Sequence, residues 1–509
     1  MNLKMGIDSY KPGWEIVLKQ IGVSFDQFSL SDKISPDKYS VLIITEPHTS
    51  KENKVIDEFL NAGGAVLYSD NSILDRISYK TRKVRFLCSE ENTPFSQVGL
   101  VDIYSTIRIA RSNNIKTIDS KLNILSADYG TNLILPFNIN ELILNCNSRR
   151  KKFYANRKEL PSEIVAEVSK GKLRKIVEKS LEYLHHKRDL PFVHLWHQPH
   201  IDKNLFIFRL DTDFCSKKDA GEMYKICESN NISATWFLDT DSNDRLNNYA
   251  LMKNQEMAIH CDKHYVYDNL EDNYNNILKA EQKIKKCGIK ANGFAAPFGD
   301  WNYSLDKAMQ KMELKYSSEF TLDYDDLPFY SYYNNEFSKI LQIPIHPISM
   351  GRLRRSHFSE NEMLQYYIDL INEKLKFGEP VIIYHHPHHK HFDIFDKIFQ
   401  FVNSKNFGNM SMNEFNKWWE ERYKLEPEFQ YVDNRLSVKF DSENVCIKIS
   451  ITDGFTISQE KNIQIDKIML KPHFKTIIKH DVKRIRKFHL RDLLYNHESR
   501  RSREYFSKD

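Results

Sequence analysis

Two acidic residues, one apart, close an apolar run in "FIFRLDTDF", residues 206–214. Charge at the end of a buried strand is costly unless it is solvated, paired or bound to metal. On its own, one of Asp211 and Asp213 could cap the following helix while the other lies in water. Further along, "EMAIHCDKHYVYDN" carries His260 and His264 four residues apart, on one face if this turn is helical. Two imidazoles and one carboxylate make a three-ligand set for a divalent metal, with positions left for water and substrate. The segment "ANGFAAPFGDWN" supplies a Pro297-Phe298-Gly299 turn at a strand end, where backbone N–H groups can point at a developing oxyanion. Finally, "PVIIYHHPHHKHF" delivers His385 and His386 at the end of an apolar strand, where one imidazole can serve as a general acid near neutral pH. The adjacent His388, His389 and His391 read as solvated loop residues.

Such groups need a scaffold that gathers strand ends. Residues 204–420 alternate strand-like and helical patterns, with strand-like runs "LFIFRLD", "SATWFLD", "EMAIH", "GFAAPFG", "LKYSSEF", "KILQIPIH" and "PVIIYHH". The expected fold class is α/β: a distorted (β/α) barrel or close variant over 199–425, with its chemistry at strand C-terminal ends. Before it, residues 1–75 read as a small Rossmann-like or amidotransferase-like α/β domain, with "YSVLIIT" and "AVLYSD" as strands around one helix. It has no Gly-x-Gly-x-x-Gly and no nucleophile elbow, so an accessory role is expected. Residues 76–198 read as β-rich pieces, a long helix over "EIVAEVSKGKLRKIVEKSLEYLHHKRDL" and a linker around Pro191 and Pro199. After Pro427 the pattern turns to short β-pieces, so 426–509 reads as a small C-terminal β-rich domain with a basic amphipathic tail.

Composition narrows the class. The chain has 509 residues, 41% apolar and 28% charged, enough to bury several cores and too apolar for disorder. Its seven cysteines are scattered and form no Cys-x-x-Cys pair, which argues against a disulfide framework or a thiolate zinc site. The net charge is +5, yet residues 467–509 alone hold thirteen Lys/Arg against five Asp/Glu, so the rest is slightly acidic. No apolar run is long enough to span a membrane and no leader pattern is seen, so a soluble cytoplasmic protein is expected. The basic tail suits peripheral contact with an anionic membrane surface. No nucleic-acid module accompanies the charge, so nucleic acid is not expected as a partner. No pattern specifies an oligomeric state.

Taken in order, "RLDTDF", "HCDKH", "AAPFG" and "IIYHHP" resemble the polysaccharide deacetylase (NodB-type carbohydrate esterase) family over roughly residues 204–420. The resemblance implies Asp213, His260 and His264 as metal ligands, usually for zinc, and Asp211 as catalytic base. It implies the backbone around Phe298, with Pro297 and Gly299, as the oxyanion and substrate-binding turn. His386 or His385 would be the general acid, with His386 preferred because of the His386-Pro387 step. The activity implied is deacetylation of an N-acetylated sugar or glycan, in a surface-glycan pathway and on a lipid-linked precursor where the tail contacts membrane. Two departures stand out. The family's turn usually begins with an Arg that pairs with the catalytic Asp, whereas this sequence has Ala295; Arg209, Arg352 and Arg354 are the candidate substitutes. Its Asp-x-x-Asp-Trp segment is represented only by Asp323, Asp325 and Asp326, with Asp325 or Asp326 and His346 as candidate neighbours of the acid. The loss of the Arg makes a non-hydrolysing carbohydrate-binding barrel the main alternative. Glycosyl transfer through Asp211-x-Asp213 is another, which leaves the histidine pair unused.

Overall fold

The computed structural model describes residues 1–70, 72, 78–110, 115–128, 130–240, 243–473 and 482–486. Contacts group them into two units: one holds 1–145, 168–201 and the described part of 421–480, the other 146–167, 202–420 and 482–486. The four segments expected from sequence are thereby regrouped. Residues 146–167 join the strand-helix segment, and the strands after Pro427 join the N-terminal one.

In the second unit, all seven strand-like runs contribute strands to one sheet, β1 Leu205–Asp211, β2 Ala234–Asp239, β3 Glu256–Cys261, β4 Gly293–Phe294, β5 Tyr316–Ser317, β7 Glu336–Gln342 and β8 Val381–His385, and a strand not among them, β6 Phe329–Tyr333, joins between β5 and β7 in the chain. Their order is β6-β7-β5-β4-β3-β2-β1-β8, parallel except for β6, which runs antiparallel on β7. The sheet curls without closing: among the described strands none joins β8 to β6, so the expected barrel is an open one. Hairpin-connected β6 occupies the edge of β7 that a closing parallel strand would need.

Side-chain parity along these strands places the chemistry. Phe206, Phe208 and Leu210 of β1 point into a core shared with Trp236, Ile259, Phe395 and Phe399, where each large apolar side chain contributes roughly 1.5–3 kcal/mol. Their alternates Arg209 and Asp211 therefore share the opposite, inner face. The loop after β1 ends where the Ser216 side chain accepts from the Asp219 N–H and caps helix Lys217–Ser229.

One expectation fails in a consequential way. The helix expected from residue 163 starts only at Lys170 and ends at His186. Its first part, Ser162–Ala166, is instead a strand paired antiparallel with Ser148–Lys152, and the Ala166 N–H donates to the Phe320 carbonyl. β-branched Ile164 and Val165 suit that hairpin better than a helix.

The first unit has a sheet ordered 25–27, 5–7, 41–44, 65–68, 131–134, 124–127 and 115–119, parallel up to 131–134 and antiparallel beyond. Helix Ser50–Asn61 covers one face through Ile56, Phe59 and Leu60. The linker expected around Pro191 contains strand Phe192–Leu195, which pairs with Ile447–Ile451 of the C-terminal β-region. Of the basic tail, Val482–Ile485 forms a helical turn with Ile485 buried, and residues 474–481 and 487–509 lie outside the described residues. No helix among the described residues is long and apolar enough to cross a membrane.

Candidate metal centre and active site

Asp213, His260 and His264 bring one donor atom each to within 4.8 Å of one another. They arrive by a different route from the helical one expected. His260 lies on β3, and the chain bends back after it so that His264 faces the same point. Asn276 on helix Leu270–Lys286 holds that bend: its Oδ1 accepts the Asp262 and Lys263 N–H groups at 3.1 and 2.7 Å, and its Nδ2 donates to the Lys263 and Tyr265 carbonyls. A polar residue on an amphipathic helix offered no sequence signal for this role.

The donor set fits a divalent metal. The His260 Nδ1–H donates to the Ala295 carbonyl at 2.6 Å, which leaves the lone pair of Nε2 directed at Asp213 Oδ1, 3.8 Å away. Asp213 Oδ1 and His260 Nε2 are both buried with no hydrogen-bond partner, an arrangement that two protein groups leave when an ion is to take the third place. Burial pushes the His264 imidazole down to about 4, helped by His260, so it is neutral and ligand-competent at pH 7. Asp213 is held well below the usual carboxylate range: burial opposes ionisation, and His386, His260, His264 and His388 together outweigh it.

Asp211 is gripped by Arg209 from the same strand face. Nε donates to Oδ1 at 2.7 Å and Nη2 to Oδ2 at 2.8 Å, while Nη1 reaches the Ser318 carbonyl. The guanidinium lies over the rings of Phe237 and Tyr384 at 5.0 and 5.5 Å. Burial pushes the Asp211 carboxyl upward, but the Arg209 charge and hydrogen bonds overcome this and hold it below its ordinary value. Of the three candidate arginines, Arg209 thus supplies the countercharge that Ala295 cannot. Arg352 is instead paired with Glu163.

The two strand-end histidines separate by parity. His385 shares the outer face with Val381 and Ile383; its ring packs on Phe395 at 4.3 Å and its Nε2 meets the Lys390 carbonyl at 3.0 Å. It therefore does not reach the Asp213, His260 and His264 cluster, and this position speaks against the general-acid role considered for it. His386 does reach it, with Nε2 3.4 Å from Asp213 Oδ1 and 3.8 Å from Asp211 Oδ2. His388 and His389, expected in solvent, also line the cavity, their rings 4.0 Å apart. His389 is seated against Gly351, where an added Cβ would lie 2.3 Å from its ring. His391 stays peripheral, 3.6 Å from Glu360.

In the Pro297-Phe298-Gly299 turn, Phe298 and Gly299 have φ of 60° and 62°. A Cβ at Gly299 would sit 2.3 Å from the Phe320 ring, so Gly is required there. Pro297 has no N–H and Gly299 donates to the Ala296 carbonyl at 2.9 Å, so neither offers an oxyanion donor; Pro297 is buried off the cavity wall. The exposed ring of Phe298 stands 4.7 Å from His264, and Phe214, 71% exposed, flanks His264 at 5.8 Å. Behind the turn lies Glu319, fully buried, which accepts the Ala296 N–H at 3.2 Å; burial pushes its carboxyl up to about 7.

The cavity at the cluster measures about 370 Å³. One wall comes from the hairpin 148–166, which contributes Arg150, Glu163 and Ile164. These residues lay in a segment that sequence reading assigned elsewhere. Asp325 and His346 pair with each other at 3.0 Å, with Lys374 3.4 Å from Asp325 and Tyr366 3.0 Å from His346, in a separate network. They do not orient His386.

No family model and no curated protein matches this chain. Among solved structures it is similar to a candidate polysaccharide deacetylase from Mycobacterium smegmatis, at 12% identity and TM-score 0.38, covering 45% of this chain and 94% of that one. It is similar to a CE4 family pseudoenzyme from Bacillus anthracis, at 14% identity and TM-score 0.32, covering 43% and 66%. A family 4 acetyl xylan esterase from Clostridium thermocellum, in complex with a cobalt ion, shares 12% identity at TM-score 0.31, covering 42% and 90%. These structures carry polysaccharide deacetylase or family 4 carbohydrate esterase names, the family that the four ordered motifs resemble.

Proposed function

We propose that the chain is a metal-dependent hydrolase that removes an acetyl group from an N-acetylated sugar. One observation carries the reading: a three-donor cluster with two buried, unpartnered ligand atoms lies beside a carboxylate clamped by its own arginine. Asp213, His260 and His264 would hold the metal, most suitably zinc, which supplies Lewis-acid polarisation of the amide carbonyl and acidifies the attacking water.

Asp211 accepts the proton of that water. Arg209 occupies one lone pair on each of its oxygens, so the carboxylate stays ionised and oriented with acceptor capacity to spare. His386 faces both aspartates through Nε2 and donates its proton to the departing nitrogen as the C–N bond breaks. The water oxygen ends on the acyl carbon as acetate, and the sugar leaves as a free amine. Phe214 and Phe298 at the mouth give sugar rings apolar faces to lie on. The alternative of a non-hydrolysing binding barrel rested on Ala295; the bidentate Arg209–Asp211 pair supports the hydrolase reading instead.

Elemental analysis of the purified chain and of His264→Ala, after stoichiometric zinc and desalting, tests the reading. About one equivalent should remain on wild type and be lost in the variant, together with acetate release from N-acetylglucosamine oligomers. A wild type that retains no metal, or a variant that hydrolyses at the wild-type rate, would sink it.

A further inference from the structure

We infer that Phe214 is a specificity-determining residue, held in a backbone conformation that disfavours it so that its ring can carry the C–H face of a bound pyranose. The nature of the ligand as an N-acetylated sugar rests on the hydrolase reading; the backbone argument does not.

The Cys215 N–H donates to the Thr212 carbonyl at 3.1 Å and closes a turn whose third residue is Phe214, with φ of 55°. Turns with positive φ at that place take Gly or Asn, because a Cβ there crowds the following carbonyl oxygen. The neighbours fix the conformation. Asp213 turns toward His260 and His264, Cys215 is fully buried, the Thr212 N–H donates to the Phe237 carbonyl at 3.0 Å, and Ser216 caps the next helix. They account for the left-handed backbone and not for the ring upon it. Most of the described non-glycine residues with such a φ are Asn or Asp, whose short side chains bear it best. Tyr104, Phe214 and Phe298 are the Tyr and Phe residues among them, and two of these three line this one cavity.

Packing does not account for the ring either. Phe214 is 71% exposed, so little of its apolar surface is removed from water within the protein. What the ring does meet is the site: His264 with centroids 5.8 Å apart, and His388 at 5.9 Å and nearly perpendicular. A strained backbone beneath an exposed aromatic, next in sequence to Asp213, fits a residue whose missing burial is supplied by a ligand. An open hydrocarbon face beside the polar donors Asp213, His260 and His264 suits a sugar. A pyranose presents C–H groups on its face and hydroxyls at its rim, so it covers the ring while its hydroxyls keep their hydrogen bonds. Phe298 repeats the arrangement, with φ of 60° and an exposed ring 4.7 Å from His264.

The test uses three full-length proteins, wild type, Phe214→Gly and Phe214→Trp, each given stoichiometric zinc and desalted. Calorimetry with an N-acetylglucosamine tetramer should show the Gly variant binding about five- to tenfold more weakly, as expected when one face of a ring goes uncovered. The Trp variant, which keeps a platform, should bind within about twofold of wild type. In urea the Gly variant should unfold at the wild-type midpoint or above it, because backbone strain is released while little burial is lost. Zinc retention should be the same in all three. Equal tetramer affinity in wild type and the Gly variant, a Trp variant as weak as Gly, or a Gly variant with a lower urea midpoint overturns the inference. Zinc lost from the Gly variant overturns it as well, since Phe214 would then act by positioning Asp213. Acetate release followed in parallel separates the two readings. Tetramer binding that depends on Phe214 without release sinks the hydrolase and leaves the platform, whereas release with a KM that the Gly variant does not raise sinks the platform and leaves the hydrolase.

Discussion

Replacing Arg209 with Met should destabilise the protein in a pH-dependent way. Arg209 is fully buried and is the bidentate partner of Asp211, itself buried at the end of the same strand. Met keeps much of the stem volume, so the cavity term is small and the loss is mainly electrostatic. Removing one partner of a buried pair typically costs about 3–5 kcal/mol, because the other charge is left desolvated and alone. The wild-type carboxyl lies below the ordinary value of 3.8, so its pairing stabilises the fold above the unfolded pKa and is lost as pH falls through the folded one. Without Arg209, burial is opposed only by the weaker influence of His260 and His386, and the Asp211 carboxyl should rise above its ordinary value. The variant is then most stable in acid and weakens as pH rises, so the gap to wild type opens between about pH 4 and pH 7. Urea melts of both proteins in chelator at about pH 4 and about pH 7.5 measure it, with Arg209→Met/Asp211→Asn as the companion. Neutralising the orphaned carboxylate should recover a good part of the loss at pH 7.5. A gap independent of pH, or a double variant as unstable as the single one, would refute the account of Asp211 as a carboxylate kept ionised by Arg209.

Two further outcomes follow from the same geometry. Glu319 is buried with its carboxyl pushed up to about 7 from 4.5, so it favours the fold as the acid, and stability declines by about 3 kcal/mol as pH rises through that window. Glu319→Gln keeps an acceptor for the Ala296 N–H and should flatten the decline in thermal melts, and an unchanged slope would count against it. Gly351→Ala brings a Cβ to 2.3 Å from the His389 ring, so melts should show a loss of about 1–3 kcal/mol and acetate release should fall, because the displaced ring borders His386 at 5.3 Å. Wild-type stability in that variant would show that His389 is free to move.

Much of the site could be read from local pattern. Residues 205–211 announce a buried strand by their apolar run, and a strand ending in two acids already demands a countercharge or an ion. Period-two parity, applied strictly, would also have placed Arg209 on the Asp211 face, but it does not choose between His385 and His386, because both alternating sets of residues 381–384 are apolar and buried. The His260 and His264 spacing suggested a shared site on a helical turn, whereas a bend held by Asn276 brings them together.

The sequence by itself determined that seven runs of residues 204–420 carry strands and which donor types stand at or just beyond them, because burial alternation and turn chemistry act over a few residues. Only the tertiary structure decided that the hairpin 148–166 walls the cavity, that Arg352 answers Glu163 across 189 positions, and that His388 and His389 face inward. Those choices depend on pairings between distant segments. Their free energy appears only once the sheet has curled and both partners have lost water, and no local window of the chain contains both terms.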